Sequence, residues 1–259
     1  MKKQSKIIIA LLTFVLLLVI VFGYKLHWFN AGITSQQTED SVANSPVQVA
    51  VKETSITISK KTEEPKEIND TEFPENGNTI DDFVTSPYII AMDAKGFLDN
   101  DDMEDVVLVL QNKTDSTDLR PVLVLLKQAA GGYRLYATSW QAIGAAYING
   151  DYQQYDSEDI TIDQNKTLII STFGSGPVGN RETRYCFKNG ELVLTYMETY
   201  NAGAGQQTLA KYDVLTQKVT IEDINTMKED MPAKVSHGKL PPHKPYLFKE
   251  VDPVSIFSE

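Results

Sequence analysis

The chain has 259 residues, with 24 basic and 35 acidic side chains, a single cysteine and a net charge of −11. Residues 1–30 hold four lysines and no acid, so the remainder carries 20 basic against 35 acidic groups, a charge of −15. A field of that sign repels nucleic acid and anionic lipid, and the lone Cys186 excludes an intramolecular disulfide, so stability has to come from packing.

Residues 7–23 read IIIALLTFVLLLVIVFG, between Lys2, Lys3 and Lys6 on one side and Lys25 on the other. At about 1.5 Å per residue this run spans roughly 25 Å as a helix, which crosses a hydrocarbon core and leaves Tyr24 and Trp28 at the far interface. Residues 1–30 are therefore expected to be a cytoplasmic tip and a signal-anchor transmembrane helix, with membrane contact through residues 7–23 and the rest of the chain extracytoplasmic. The alternative is a cleaved secretory signal. Such signals carry an apolar stretch of about 7–15 residues and a small-x-small cleavage site, and only Asn30-Ala31-Gly32 offers small residues here. Either way the remaining chain lies outside the cytosol.

Residues 31–82 shift to Ser, Thr, Gln, Glu and Lys, with Phe73 as their one aromatic. Such a stretch buries too little apolar area to offset ordering entropy, so it is expected to be a flexible stalk with a span of roughly 40 Å. The alternating SITIS at 55–59 is its one strand-like run.

Residues 83–225 are expected to form one β domain. Period-2 or continuous β-branched runs recur at 88–92, 106–111, 121–126, 133–138, 159–162, 168–173, 183–188, 192–199, 207–215 and 218–224. Lys188-Asn189-Gly190-Glu191 is the strongest hairpin signal, since Asn-Gly satisfies both positive φ angles of a type I′ turn. Residues 139–156 fit neither a strand nor a helix pattern. The predicted class is mainly β, with antiparallel sheets arranged as a sandwich or an incomplete propeller, plus the N-terminal transmembrane helix. Residues 226–259 carry five prolines and are expected to be an extended tail docked through Tyr246, Leu247, Phe248 and Ile256.

Residues 96–110, GFLDNDDMEDVVLVL, crowd carboxylates just before an apolar strand. Two carboxylates 4 Å apart repel by roughly 4 kcal/mol at an effective dielectric of 20, so a tight loop needs a cation, protons or splaying into water. The pattern resembles the single Asp-rich loop of FG-GAP or VCBS-type extracytoplasmic proteins, GDLNGDGxxDxVLV, in which alternate oxygens cradle calcium. The resemblance implies that Asp99, Asp101, the Met103 carbonyl and Asp105 are metal ligands and that calcium is the cofactor. Two positions depart from the pattern. Phe97 stands where the first ligand aspartate would be, and Asp102 replaces a glycine, so weak binding or a plain acidic turn are both open. A single copy of the loop argues against a multi-blade propeller.

Residues 173–184, FGSGPVGNRETR, place three glycines and two arginines between strands, and residues 201–205, NAGAG, form a second glycine-rich connection. Brought together, the two would make a recognition edge, with Arg181 or Arg184 available to an anion. Hydrolytic ingredients are poor. His27 lies by the apolar run, His237 and His243 lie in the tail, and neither GxSxG nor HExxH occurs. Cys186 reads as a buried small hydrophobe, and Asp151, Asp156, Glu158 and Asp159 read as solvated surface. No catalytic residue is assigned. The expected function is non-catalytic binding of an envelope protein or glycan, not nucleic acid, by a membrane-tethered β domain. The alternative is an envelope glycan hydrolase using paired carboxylates.

Overall fold

The computed structural model describes residues 72–150, 152–175 and 179–256. The apolar run 7–23, His27, the 55–59 alternation, Asp151 and all of the stalk before residue 72 lie outside the described residues. Among the described residues, no helix is long and apolar enough to cross a membrane.

The described chain is mainly β, in antiparallel sheets. Five strands form the first: β1 (Asn76–Gly77), β2 (Tyr88–Gly96), β3 (Asp105–Asn112), β4 (Val122–Lys127) and β5 (Tyr133–Ser139), in the order β1-β5-β4-β3-β2. A small hairpin follows, β6 (Tyr147–Ile148) with β7 (Tyr152–Gln153). Seven strands make the second large sheet, a sequential meander: β8 (Ser157–Ile162), β9 (Thr167–Phe173), β10 (Asn180–Lys188), β11 (Glu191–Gly203), β12 (Gln206–Asp213), β13 (Lys218–Asn225) and β14 (Ala233–Lys239). Asn189 and Gly190, at φ 53° and 83°, turn β10 into β11, as the type I′ signal requires.

One hydrophobic core joins the two large sheets. Val107, Val109, Val122 and Val124 from the first meet Leu168, Ile170, Tyr185, Leu192 and Leu194 from the second. The opposite face of the first sheet is covered as well. Val106, Leu108, Leu110, Leu123 and Leu125 pack against Phe73, Phe83 and Tyr88, with Ile80 and Trp140 alongside. Burial on both faces explains why β3 and β4 read as unbroken apolar runs although the sheet is antiparallel.

That second cluster moves the expected domain boundary. Residues 72–82 belong to the folded unit rather than to a stalk ending at 82: Phe73 is buried, and the 3-10 turn Ile80–Phe83 seats Phe83 in the cluster. The expected tail at 226–259 also differs in part, because Ala233–Lys239 forms β14 on the sheet edge through its pairing with β13. Beyond β14, Leu194 N donates to Tyr246 O and Phe248 N to Leu192 O, both at 2.9 Å. The tail thus runs beside β11 where β12 has ended, and Phe248 and Val251 enter the core.

Candidate functional site

The acidic loop closes on itself. Asp105 is 0% exposed, and its carboxylate accepts hydrogen bonds from Leu98 N at 2.9 Å, Asp99 N at 3.4 Å and Lys127 N at 3.0 Å. Asp101 N donates to Asp99 Oδ1 at 3.0 Å, and Met103 N to Asp101 Oδ1 at 2.9 Å. Lys166 Nζ, reaching from the turn between β8 and β9, caps the Asp99 carbonyl at 2.6 Å. Burial pushes both Asp99 and Asp105 above the ordinary carboxylate range despite these bonds. Asp102 takes the left-handed turn at φ 57° that the pattern assigns to glycine. Among the described residues, no three His, Cys, Asp or Glu side chains gather in an arrangement that could hold a metal. Of the expected ligands, Asp105 is turned inward to the Leu98, Asp99 and Lys127 amides, while Asp99 and Asp101 accept from amides within the loop.

The two glycine-rich connections do come together. Gly179, at φ 69°, lies so close to Tyr200 O and the Asn201 side chain that a Cβ there would overlap both. Gly174 N donates to Gly179 O at 3.1 Å and to Asn180 Oδ1 at 3.2 Å, which pins the ends of the first connection. Its middle, residues 176–178, lies outside the described residues.

The face of the seven-stranded sheet turned away from the core opens beside this junction. Cross-strand partners share a face, so register fixes what it displays. Glu182 pairs with Ser171 on one side and Glu198 on the other, and Asn180 pairs with Tyr200. Arg181 pairs with Thr172, which sets Phe173 beside Asn180. Phe173, Asn180, Arg181, Glu182, Glu198 and Tyr200 border a hollow of about 110 Å³. Phe173 is 45% exposed although it is a phenylalanine on a regular strand.

Two glutamates directly opposite each other would repel, and neighbours offset that. Arg184 donates to Glu182 Oε1 through Nε at 2.7 Å and through Nη2 at 2.6 Å, and its guanidinium lies 4.7 Å from the centre of the Tyr196 ring. Tyr196 donates its hydroxyl to Glu198 Oε2 at 2.6 Å, and Lys211 Nζ stands 3.6 Å from the same oxygen. Desolvation, then the Glu198 acceptor, push the Tyr196 phenol well above its ordinary range. The arginines are thus placed differently from the anion-loop expectation. Arg184 is engaged with Glu182, and Arg181 lies on the inner face, with Nη2 3.4 Å from Ile143 O.

Other expected residues are scattered. Glu158 is not solvated surface: it holds the buried Arg120 in a two-pronged ion pair that links the sheets. The Ser175 hydroxyl, and then the Ser175 N that donates to Asp156 at 2.6 Å, draw the Asp156 pKa down, and Asp159 is exposed. Cys186 is half-buried beside the Thr167 and Thr195 hydroxyls, because it alternates with the core-facing Tyr185. His237 lies on β14, 3.3 Å from the Thr220 hydroxyl, and His243 stacks on Tyr246, so the described histidines do not share a site. A wider groove of about 470 Å³ runs between the β10–β11 turn and the tail, floored by Val193, Leu194, Val214 and Leu247.

No family model, no curated protein and no solved structure matches the chain.

Proposed function

We propose that the chain is a membrane-tethered extracytoplasmic β domain that binds an envelope partner or ligand without catalysis, using the open face of its seven-stranded sheet. The observation that carries this reading is the hollow bordered by Phe173, Tyr200, Glu182 and Glu198 at the junction of the two glycine-rich connections. Function gathers on loops that a rigid sheet positions, and an exposed phenylalanine ringed by fixed polar groups is informative in a way that scattered surface leucines are not. Two facing sheets of five and seven strands favour a sandwich over four-stranded propeller blades. The tether would raise effective concentration at the membrane.

The alternative hydrolase would draw on the same glutamate pair. A hollow of about 110 Å³ on an outer sheet face supplies little of the concavity that excludes water from a glycosidic bond, and this favours binding. Kinship with FG-GAP or VCBS-type proteins, and weak calcium binding in the acidic loop, are further proposals that rest on the sequence pattern of residues 96–110.

The test passes solubilised envelope over the immobilised full chain. A defined component retained by wild type and lost with both Tyr200→Asp and Leu209→Asp supports binding through this face. Retention unchanged by both variants removes the face from the reading. Turnover of a glycan substrate that vanishes with Glu198→Gln replaces the module with the hydrolase. Added protease cutting intact spheroplasts to a stable fragment of the β domain supports the topology, and protection of the whole chain overturns it.

A further inference from the structure

We infer that the hollow on the open sheet face is a subsite for a neutral glycan, one sugar ring lying between Phe173 and Tyr200. This assignment rests on the binding reading above and names its ligand class.

Charge comes first. Glu182 and Glu198 are answered on the same face by Arg184 and Lys211, so the network is neutral as a whole although it presents carboxylate oxygens. Arg184 takes Glu182 Oε1, while Tyr196 and Lys211 take Glu198 Oε2. Each carboxylate is thereby fixed by one oxygen, and among the described residues its other oxygen accepts no hydrogen bond from the protein. Asn180, which also borders the hollow, is held the same way: its Oδ1 accepts from Gly174 N, and its amide carries two N–H donors. Two acceptors and one donor group, already immobilised by their neighbours, suit a ligand rich in hydroxyls. An anion would meet the carboxylates, and a cation would find their charge already compensated.

Aromatic placement supplies the rest. Sugar rings carry a C–H face that packs on the negative face of an aromatic ring. Phe173 and Tyr200 stand on strands separated by one intervening strand, so their Cα atoms are about 9.5 Å apart at the usual spacing. That separation matches alternate rings of an extended β-linked chain. The hollow is small, about 110 Å³, so an oligomer lies across the face rather than entering a pocket.

The test titrates cellohexaose and chitohexaose into the full chain, held in a non-glycosidic detergent, by isothermal calorimetry. Wild type is expected to bind at least one of them. Phe173→Ala and Tyr200→Ala should each weaken binding at least tenfold, and Glu182→Gln about threefold to tenfold. Leu215→Ala, at the opposite end of the sheet, should leave binding unchanged, and circular dichroism should show that every variant is folded. Absence of heat with both oligosaccharides overturns the inference, as does binding that the Phe173→Ala/Tyr200→Ala double variant retains. Binding of a lysine-rich peptide in place of either sugar overturns it too. The two readings separate cleanly: envelope capture that depends on Tyr200, with no oligosaccharide binding, rejects the glycan and keeps the binding face.

Discussion

Arg120 and Glu158, 38 residues apart, clasp each other across the two large sheets. The guanidinium is 2% exposed and its Nη1 and Nη2 reach the two Glu158 oxygens at 2.7 and 2.5 Å, while Nε donates to Gly144 O at 2.9 Å. A buried guanidinium that loses its counter-ion has no water to turn to. Glu158→Ala is expected to cost about 2–4 kcal/mol in urea unfolding, the lower end reflecting the partial exposure of Glu158. Replacing both partners, Arg120→Met with Glu158→Leu, should recover most of that loss. Equal destabilisation by the single and double variants would show that the pair contributes through packing alone.

Phe248 ties the C-terminal segment to the core. It is 1% exposed, and its ring meets Tyr185 edge-on, 5.1 Å between centres. Phe248→Ala is expected to cost about 3–5 kcal/mol, which lowers the melting midpoint of a domain this size by about 10 °C. The Tyr185 phenol, pushed up to about 12 chiefly by burial, should then titrate nearer its ordinary value as water reaches it. That shift is read by ultraviolet absorbance.

In the acidic loop, the inward turn of Asp105 sets the calcium response. Binding to the folded state alone would stabilise by RT ln(1 + [Ca]/Kd), about 1.4 kcal/mol at ten times Kd. With Asp105 committed to three amides, wild type is expected to shift by under about 1 °C between 5 mM calcium and chelator. Phe97→Asp adds an outer carboxylate and should bring the shift to roughly 2–4 °C, with magnesium giving less. A wild-type shift of that size, abolished by Asp101→Ala, would mean that the loop reopens around the ion. Asp105→Ala should cost about 2–3 kcal/mol with or without calcium, since it strands buried amides.

Asp163 provides a pH signature. Although burial raises its pKa, bonds from Thr167 N at 3.0 Å and Asn165 N at 2.8 Å outweigh that, and the folded value lies below 3.8. A depressed folded pKa contributes stability that is present above the unfolded value and lost as pH falls through the folded one. Urea midpoints should therefore separate wild type from Asp163→Asn at pH 6 and draw them together at pH 3. A gap constant across that range would leave Asp163 as a turn former without charge linkage.

Most strands were legible because alternation or a continuous β-branched run marks them, and Asn189-Gly190 marks the hairpin. β14 was not: AKVSHGK is exposed along its whole length, so no buried face imposes a hydrophobic period. Phe73 is not legible as a core residue because one aromatic among polar residues carries no periodic signal; the sheet it covers lies elsewhere in the sequence. Arg120 carries no local signal for a similar reason, since its partner Glu158 is far along the chain. The glycine-rich connections were visible as composition, but the row of Phe173, Asn180 and Tyr200 is a product of register across three strands. Register depends on pairings that a single strand does not encode.

The cover over the outer face of the first sheet has a consequence for the unfolded and half-folded chain. VVLVL in β3 and VLVLL in β4 are short, uncharged and rich in β-branched residues, the composition that stacks into cross-β fibrils when left open. Phe73, Ile80 and Phe83 close over that face from residues that precede both strands, so the shield is synthesised before the surface it hides. A chain shortened from the N-terminal side past Phe83 would keep its inter-sheet core and yet present a bare apolar sheet face to its neighbours, with self-association rather than unfolding as its first failure.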